Sequence, residues 1–159
     1  MATHELGIIL HGATGGICST QHLHNTLVPI RAEGGLVIGN DTIMPNLLLV
    51  GRNSERLAAL ASEIGGVEWT TDLDAALNNP SYPIFFDAAA THLRLDLLKR
   101  AIAAGKHIYT EKPLAPSVDD GLSLLKAAEA NGLKHGVVED KLFVPGFHKL
   151  QNLVDSGFL

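Results

Sequence analysis

The chain is poor in cysteine, in long apolar runs and in positive charge, and each shortage argues against a class of protein. Its 159 residues include one cysteine, Cys18, which excludes an internal disulfide, and one cysteine among eight histidines is not a zinc-binding framework. No apolar run approaches the roughly 20 residues that a membrane-spanning helix needs. Lys and Arg total 12 against 17 for Asp and Glu, a balance that disfavours a broad nucleic-acid surface. We therefore expect no metal site, no nucleic-acid partner and no membrane partner.

The remaining composition is that of an ordinary soluble protein with a sizeable core. Apolar residues make up 46% of the chain and charged residues 18%, and the length suits one domain. The first five residues show no basic segment followed by a long apolar one, so they predict no signal peptide. We expect one cytoplasmic domain over residues 1–159, since no linker, low-complexity tract or repeat interrupts it.

Short apolar runs alternate with helical patterns, which predicts an α/β fold: a Rossmann-type, doubly wound parallel sheet of about six strands. The predicted strands are residues 7–10, 47–50, 67–69, 84–88, 107–110 and 136–139. A small hairpin over residues 36–44 is predicted before the second strand, because two apolar triplets flank Gly-Asn-Asp. Predicted helices begin near Ile17, at the N-caps Ser54, Asp72 and Ser117, after the fourth strand, and at residue 147 for a last helix to 155.

A glycine-rich turn, Gly12-Ala13-Thr14-Gly15-Gly16 followed by Ile17, comes directly after the first predicted strand. At that position backbone N–H groups and a helix N-terminus favour an anion, and glycines let a pyrophosphate approach the main chain. The spacing departs from G-x-G-x-x-G, because positions 12, 14 and 17 are Gly, Thr and Ile. The turn indicates a dinucleotide site, and the alternative is a tight strand-to-helix turn without a ligand.

The residues after the second predicted strand bear on the choice of cofactor. An acidic residue there suits the ribose of NAD, and arginine suits the extra phosphate of NADP. The chain has Gly51-Arg52-Asn53-Ser54, with Arg56 one turn into the helix. Arg52 is expected to contact the 2′-phosphate in a bidentate manner. NADP is therefore favoured and NAD stays possible, with a surface arginine at a helix start as the alternative.

The tripeptide Glu111-Lys112-Pro113 follows the fifth predicted strand, at the edge where a parallel sheet binds its ligands. Lys112 could neutralise an alkoxide, or donate to the oxygen that changes protonation during hydride transfer. Glu111 would orient that lysine, and Pro113 would stiffen the turn. The alternative is an ion pair on a surface loop.

Residues 103–115, which read Ala-Ala-Gly-Lys-His-Ile-Tyr-Thr-Glu-Lys-Pro-Leu-Ala, closely resemble a signature of the glucose–fructose oxidoreductase and inositol dehydrogenase superfamily (Gfo/Idh/MocA). The glycine turn, the Gly-Arg-Asn after the second strand and residues 143–157 support the resemblance. It implies an N-terminal Rossmann domain that binds NAD or NADP, and a C-terminal α/β domain with an open sheet. It also implies oxidation or reduction of a hydroxyl-bearing carbon on sugars, cyclitols or related compounds, with Lys112 close to nicotinamide and substrate.

The chain departs from the family pattern on the substrate side. The family's Thr-Pro-x-His loop falls on residues 89–92, where Ala89 and Ala90 replace Thr-Pro and His92 is kept. A second histidine often found in the family is Arg94 here, and Leu142-Phe143 stands where members often carry Arg-Phe. These differences do not affect the prediction of cofactor binding, but they weaken the prediction that the substrate is one of the usual sugars.

These inferences define the expected site. The catalytic candidates are Lys112 and Glu111. The cofactor-binding candidates are Gly12, Ala13, Thr14, Gly15, Gly16, Ile17, Arg52, Asn53, Arg56, Ala89, Ala90, His92, Glu111 and Lys112.

The resemblance also makes residues 145–159 a helix leading to a C-terminal domain that is missing from this sequence. The expected function is that of the cofactor domain of an oxidoreductase, which binds dinucleotide without turning over by itself. We expect a small-molecule substrate and a homo-oligomer for the full-length protein. One alternative is a non-catalytic dinucleotide-binding or sensor module. Another is a chain that binds nothing stably and pairs through its helix over residues 147–155.

Overall fold

A sheet of seven strands forms the centre of the computed structural model, which describes residues 2–158. Met1 and Leu159, the ends of the predicted domain, lie outside the described residues. The strands are β1 (Thr3–His11), β2 (Leu36–Ile38), β3 (Asp41–Val50), β4 (Glu68–Thr70), β5 (Ile84–Asp87), β6 (His107–Thr110) and β7 (His135–Val137).

Six of the strands are parallel and run in the order β4-β3-β1-β5-β6-β7. This is the doubly wound order, in which the connections reverse direction between β1 and β5. The register pairs His11 with Asp87 at that reversal, so the last residues of the two central strands are neighbours. The predicted Rossmann-type parallel sheet is confirmed, and the seventh strand, β2, pairs antiparallel with β3.

The connections between the strands are mostly helical. A π-helical segment (Cys18–Leu27) continues into α1 (Val28–Ala32), and the later helices are α2 (Ser54–Glu63), α3 (Leu73–Asn78), α4 (Thr91–Ala103), α5 (Val118–Ala130) and α6 (Pro145–Asp155). A short 3₁₀ turn, Asp140–Phe143, precedes α6. Within residues 2–158 we find no helix that combines the length and the apolar character needed to cross a bilayer.

Two hydrophobic cores cover the two faces of the sheet. Ile9 and Phe85 point into a core shared with α3, α4 and α5. Their neighbours Leu10 and Phe86 point into a second core, shared with the π-helical segment and α2. Because successive side chains of a strand alternate between faces, a strand buried on both sides is apolar at consecutive positions. This explains why the central strands appear in the sequence as unbroken apolar runs.

The predicted hairpin over residues 36–44 is confirmed by the antiparallel pairing of β2 with the start of β3, but its second arm and the predicted second strand form one continuous strand. Residues 47–50 were expected to form a separate strand, whereas β3 extends from Asp41 to Val50. The reason is β1, which starts at Thr3 instead of the predicted residue 7 and pairs with β3 from Thr42 through Val50. The ladder carries the strand through Pro45, which lacks an N–H donor. The exposed residues at the start of β1 carry no apolar signal, so the sequence pattern missed them.

Helix caps show one wrong prediction and two confirmed ones. The N-cap of α2 is Asn53, whose side chain accepts a hydrogen bond from the Arg56 N–H at 2.9 Å, so the predicted Ser54 is already the first helical residue. Asn53 has extended backbone angles, as an N-cap requires. The predicted caps Asp72 and Ser117 are confirmed, with hydrogen bonds from backbone N–H groups three residues ahead.

Further details differ from the sequence-based expectation, and the smallest are the third strand, which is Glu68–Thr70 instead of residues 67–69, and the fourth, which ends at Asp87 instead of residue 88. The helix expected near Ile17 begins there, but its segment Cys18–Leu27 is π-helical, with the Val28 N–H donating to the Leu23 carbonyl five residues back. The sixth parallel strand is His135–Val137 instead of residues 136–139. The last helix starts at Pro145, two residues early, because proline is tolerated in a first helical turn.

Candidate functional site

The glycine turn closes the edge of the sheet where β1 ends. The Gly12 N–H donates to the Val50 carbonyl at 2.9 Å, and the Gly15 N–H donates to the Gly12 carbonyl at 2.8 Å. Gly12 has φ +79°, and a Cβ there would lie 2.8 Å from the Ala89 nitrogen, so this position needs glycine. A Cβ on Gly16 would meet nothing within 4 Å. The turn is therefore packed against the β5–α4 loop on one side and open on the other.

A cleft of about 480 Å³ lies beside this turn, between the carboxyl ends of β1, β3 and β5. It brings together half of the predicted cofactor-binding residues. Those residues are Gly12, Thr14, Gly15, Arg52, Arg56, Ala89 and Ala90. A glycine turn beside a cleft with three arginines fits a dinucleotide, since main-chain N–H groups and guanidinium groups both bind phosphate.

Other predicted cofactor-binding residues are not among those that line this cleft. Ala13 is fully buried beneath the turn, and Ile17 is half exposed at the start of the π-helical segment. Asn53 uses its side chain to cap α2. His92 is exposed in the first turn of α4, and Gly16 is exposed at the open side of the turn.

The three arginines of the cleft differ in their hydrogen bonding, and Arg100 donates to Oδ1 of Asp74 at 2.6 Å. Arg56 donates to the Thr14 carbonyl at 3.0 Å and so ties α2 to the glycine turn. Arg52 is exposed, and among residues 2–158 its side chain has no hydrogen-bond partner. Arg52 is therefore the guanidinium group in this cleft that can meet an incoming anion without first breaking a protein contact.

The Glu111-Lys112 pair lies at the end of β6, with Glu111 buried and Lys112 exposed. His22, from the π-helical segment, donates to Oε1 of Glu111 at 2.6 Å. Oε2 of Glu111 accepts from the backbone N–H of Lys112 at 3.2 Å. Glu111 was expected to orient the lysine. In the structure it contacts the lysine backbone, and the Lys112–Pro113 peptide bond is cis.

A buried ion pair lies beneath this loop and joins three elements. Nε of Arg94 donates to Oδ2 of Asp87 at 3.0 Å, and both side chains are almost completely buried. The other guanidinium nitrogens of Arg94 donate to the Pro113 carbonyl at 2.7 Å and the Ala89 carbonyl at 3.1 Å. Arg94 thus fixes the Lys112–Pro113 loop and the β5–α4 loop to the end of β5.

Asp87 is also the partner of His11, and its pKa reflects all of these contacts. Burial alone would raise the pKa of Asp87, but hydrogen bonds from His11, the Ala89 N–H and Arg94 outweigh burial and hold it below its usual value. The His11 Nδ1 to Asp87 Oδ1 distance is 3.1 Å. Asp87 is therefore a carboxylate at neutral pH.

Comparison with known proteins identifies the fold and the family. The family model described as "Oxidoreductase family, NAD-binding Rossmann fold" (GFO_IDH_MocA) matches residues 43–139. The chain belongs to this family. The matched residues span most of β3 and Glu111-Lys112-Pro113, and the predicted Gfo/Idh/MocA resemblance is confirmed.

Among curated relatives in the family, a D-xylose dehydrogenase from Paenarthrobacter nicotinovorans is 42% identical over 152 residues. The match covers 95% of this chain and 39% of that protein. The chain therefore spans about two fifths of the length of this relative.

Solved structures of the same fold include a levoglucosan dehydrogenase in complex with NADH and levoglucosan, with a TM-score of 0.76 and 22% identity. It is matched over 97% of this chain and 40% of its own. A 3-ketoreductase from Actinomadura kijaniata, in complex with NADP, has a TM-score of 0.74 and 20% identity, over 96% of this chain and 42% of its own. At these identities the likeness shows the fold.

Four side chains of this family member were not predicted as site residues: His11, Asp87, Arg94 and His22. His11 and Asp87 each end an apolar strand, and a polar residue at the carboxyl end of a buried strand is a signal that sequence reasoning could have used. Arg94 appeared in the sequence only as a replaced histidine. His22 is far from Glu111 in the chain, so no local sequence pattern predicted their hydrogen bond.

A second cavity, of about 490 Å³, lies on the face of the sheet that carries the π-helical segment. Its lining includes the aromatic side chains of Phe86, Tyr109 and Phe143 and the polar ring of His22. No residue of the glycine turn lines it. Although slightly larger than the first cleft, it therefore lacks the backbone N–H cradle that a dinucleotide needs.

Proposed function

We propose that this chain is the dinucleotide-binding part of a nicotinamide-dependent dehydrogenase or reductase. The single observation that carries the proposal is the cleft at the reversal between β1 and β5, where the glycine turn, Arg52 and the β5–α4 loop meet. In doubly wound sheets ligands bind at this reversal. The bound nicotinamide would accept or donate the hydride.

Within this proposal the residues divide the work between binding and proton handling. Gly12 and Gly15, whose own N–H groups are bonded within the protein, shape a turn in which the pyrophosphate can approach the main chain near Gly16, and Thr14 offers a hydroxyl. Lys112, exposed at the end of β6, stabilises or protonates the substrate oxygen that gains negative charge. Glu111 holds the Lys112 backbone while His22 holds Glu111. The remaining predicted residues stay candidates for cofactor binding. Among them, Ala13, Ile17, Asn53 and His92 do not line the cleft.

NADP is the favoured cofactor. None of the four residues that directly follow β3, Gly51-Arg52-Asn53-Ser54, is a carboxylate, and Arg52 is the cleft arginine that is free of protein hydrogen bonds among the described residues. A guanidinium group binds a 2′-phosphate through two parallel hydrogen bonds. Solved structures of this fold are complexes with NADP or with NADH, which supports a nicotinamide cofactor without choosing between the two.

The proposed substrate is a small polyhydroxylated molecule, of the sugar or cyclitol type, that reacts at a hydroxyl or carbonyl carbon. The 42% identical relative is a D-xylose dehydrogenase, which supports a sugar-like substrate. We further propose that substrate binding uses a second domain, that residues 145–159 lead to it, and that the full-length protein is a cytoplasmic homo-oligomer.

Calorimetric titration of the chain with NADP and with NAD tests the cofactor assignment. Arg52→Ala should weaken NADP binding by about tenfold or more and leave NAD binding unchanged, because a charge-assisted hydrogen bond contributes about 1.5–3 kcal/mol. Arg52→Lys keeps the charge without the planar fork and should lose an intermediate amount. Lys99→Ala, an exposed cation outside the cleft lining, is the matched control.

The assignment to NADP is wrong if NADP binds no more tightly than NAD and Arg52→Ala changes neither. The assignment to a dinucleotide is wrong if neither cofactor binds to the folded chain. For Lys112, the protein tested must contain the whole enzyme. There, Lys112→Ala should lower kcat far more than it weakens cofactor binding.

A non-catalytic dinucleotide sensor is the second candidate. One observation favours it: Arg94, at a position where the family often has a histidine, is turned into the protein and donates to Asp87, Ala89 and Pro113. All three of its guanidinium nitrogens therefore make hydrogen bonds inside the protein. A whole protein that binds NADP tightly and reduces or oxidises no sugar or cyclitol would support the sensor.

A further inference from the structure

His11 is a side chain of the cleft that the glycine motif does not include. It is the last residue of β1 and directly precedes Gly12. Its side chain is 13% exposed, and it lines the cleft together with Gly12, Thr14 and Ala89. A polar ring at this depth forms part of the cleft floor.

The ring of His11 is held in one orientation. Its Nδ1 lies 3.1 Å from Oδ1 of Asp87, and its ring centroid lies 5.7 Å from that of Phe85. Asp87 is itself fixed by Arg94 through Oδ2 and by the Ala89 N–H through Oδ1. A carboxylate only accepts hydrogen bonds, so Nδ1 carries the proton.

This arrangement determines what Nε2 offers to a ligand. Among residues 2–158, Nε2 of His11 has no hydrogen-bond partner, and no buried side-chain nitrogen or oxygen lacks one. Nε2 is therefore open to the cleft. With the proton on Nδ1, the neutral ring presents a lone pair at Nε2 and accepts a hydrogen bond.

Charged groups lie around His11 on several elements of the fold. Asp87 on β5 is already balanced by Arg94 on α4, and Arg56 on α2 is engaged with the Thr14 carbonyl. Arg52, Asp96 and Arg100 line the same cleft from the β3–α2 loop and from α4. The phosphate oxygens of a dinucleotide only accept hydrogen bonds, so a lone pair repels them. Ribose hydroxyl groups donate and are the matching ligand.

We propose that His11 is a cofactor-binding residue that accepts a hydrogen bond from a ribose hydroxyl of the dinucleotide, with Asp87 and Arg94 as positioning residues that fix its tautomer. The inference rests on the proposed function, because it needs a dinucleotide in the cleft. It adds a contact from the end of β1 that is independent of Arg52 and of the extra phosphate. It therefore applies to NAD and to NADP alike.

Three substitutions of His11 and Asp87 test the contact by calorimetry with NAD. His11→Leu keeps the bulk of the ring and removes the acceptor, so NAD affinity should fall about three- to tenfold. His11→Gln restores an acceptor oxygen and should bind more tightly than His11→Leu. Asp87→Asn offers Nδ1 an amide donor and moves the proton to Nε2, so it should weaken NAD as His11→Leu does. The ¹⁵N shifts of the ring report this change of tautomer, and circular dichroism checks folding of each variant.

Inorganic pyrophosphate, which has no hydroxyl donor, separates the two ligand groups. His11→Leu should leave pyrophosphate affinity, measured by NMR titration, unchanged. An equal loss for pyrophosphate and NAD would overturn the inference in favour of a phosphate contact. Unchanged NAD affinity in His11→Leu, with Arg52→Ala still weakening NADP, would overturn the inference and leave the proposed function standing. A wild-type chain that binds neither dinucleotide would overturn both.

Discussion

The two halves of the sheet bury different kinds of side chain. In the first half, β1 to β4 with the π-helical segment and α2, the buried side chains are apolar. In the second half, β5 to β7 with α4 and α5, the structure buries charged or polar groups as well. Among the described residues, the buried charged or polar side chains are Asp87, Arg94, Lys106, Thr110 and Glu111.

This difference matches the chemistry proposed for each half. A phosphate group can be bound by main-chain N–H groups, so an apolar scaffold that holds a glycine turn is sufficient. A lysine used in proton transfer must be held in place by side chains, and the groups beneath Lys112 include the carboxylate of Glu111 and the guanidinium of Arg94. The second half therefore contains buried charges, and burying a charge lowers the free energy of unfolding unless the charge is paired.

Removing Arg94 should produce the largest effect, because it breaks the pairing on which the second half depends. Arg94→Met leaves Asp87 buried without its cation, and the free energy of unfolding should fall by about 3–5 kcal/mol. Urea denaturation measures the loss. Arg100→Met breaks an exposed pair with Asp74 and should cost no more than about 1 kcal/mol. Similar losses in the two variants would contradict the contrast between buried and exposed pairs.

Cys18 provides a further test of this comparison, because it lies in the apolar half and its pKa depends on charges in the second half. Burial, followed by the nearby carboxylates of Asp87 and Glu111, raises the pKa of Cys18 to about 12. At pH 8 its thiolate population should be on the order of a thousandfold below that of an ordinary thiol. Alkylation by iodoacetamide, followed by mass spectrometry, should be slow in the folded chain and fast in urea. Equal rates would show that the thiol is accessible.

The acid dependence of stability should reveal the lowered pKa of Asp87. The unfolded chain binds a proton at this residue at a higher pH than the folded chain does, so stability is complete above about pH 5 and falls as the pH drops through about 4 and below. One such group contributes a slope of at most about 1.4 kcal/mol per pH unit. Urea titrations between pH 7 and pH 2 should show a flatter fall in Asp87→Asn.

Asp74→Asn is the matched control for the acid dependence, since Asp74 is an exposed carboxylate whose partner is Arg100. This variant should retain the wild-type slope. If Asp87→Asn also retains it, the acid sensitivity of the second half does not originate at Asp87.

The smallest expected effect concerns the cap of α2, in the apolar half. Asn53→Ala removes the side-chain acceptor for the Arg56 N–H and should cost about 0.5–2 kcal/mol. Ser54→Ala, one residue into the helix, should change stability by about 0.5 kcal/mol or less. Urea denaturation measures the free energy of unfolding of both variants. A larger loss in Ser54→Ala than in Asn53→Ala would indicate that Ser54 is the cap.

Local patterns in the sequence predicted the strands and the parallel, doubly wound sheet well enough to place the proposed site. The apolar runs of β3, β5 and β6 and the caps Asp72 and Ser117 are local signals, and each is present in the structure. The pattern failed where tertiary contacts override it. β3 extends through Pro45 only because β1 pairs along its whole length, and the π-helical form of residues 18–27 has no local signature.

The sequence by itself determined the fold class, the family and the positions of the glycine turn, Arg52 and Lys112 along the chain, because each depends on short-range periodicity or on a contiguous motif. Only the tertiary structure decided that Arg94 is buried beneath Pro113, that His22 reaches Glu111 and that His11 meets Asp87. Those pairs are separated by 19, 89 and 76 residues. Parallel strands joined by crossover helices bring such distant residues to one edge of the sheet, and no local pattern encodes which of them will meet.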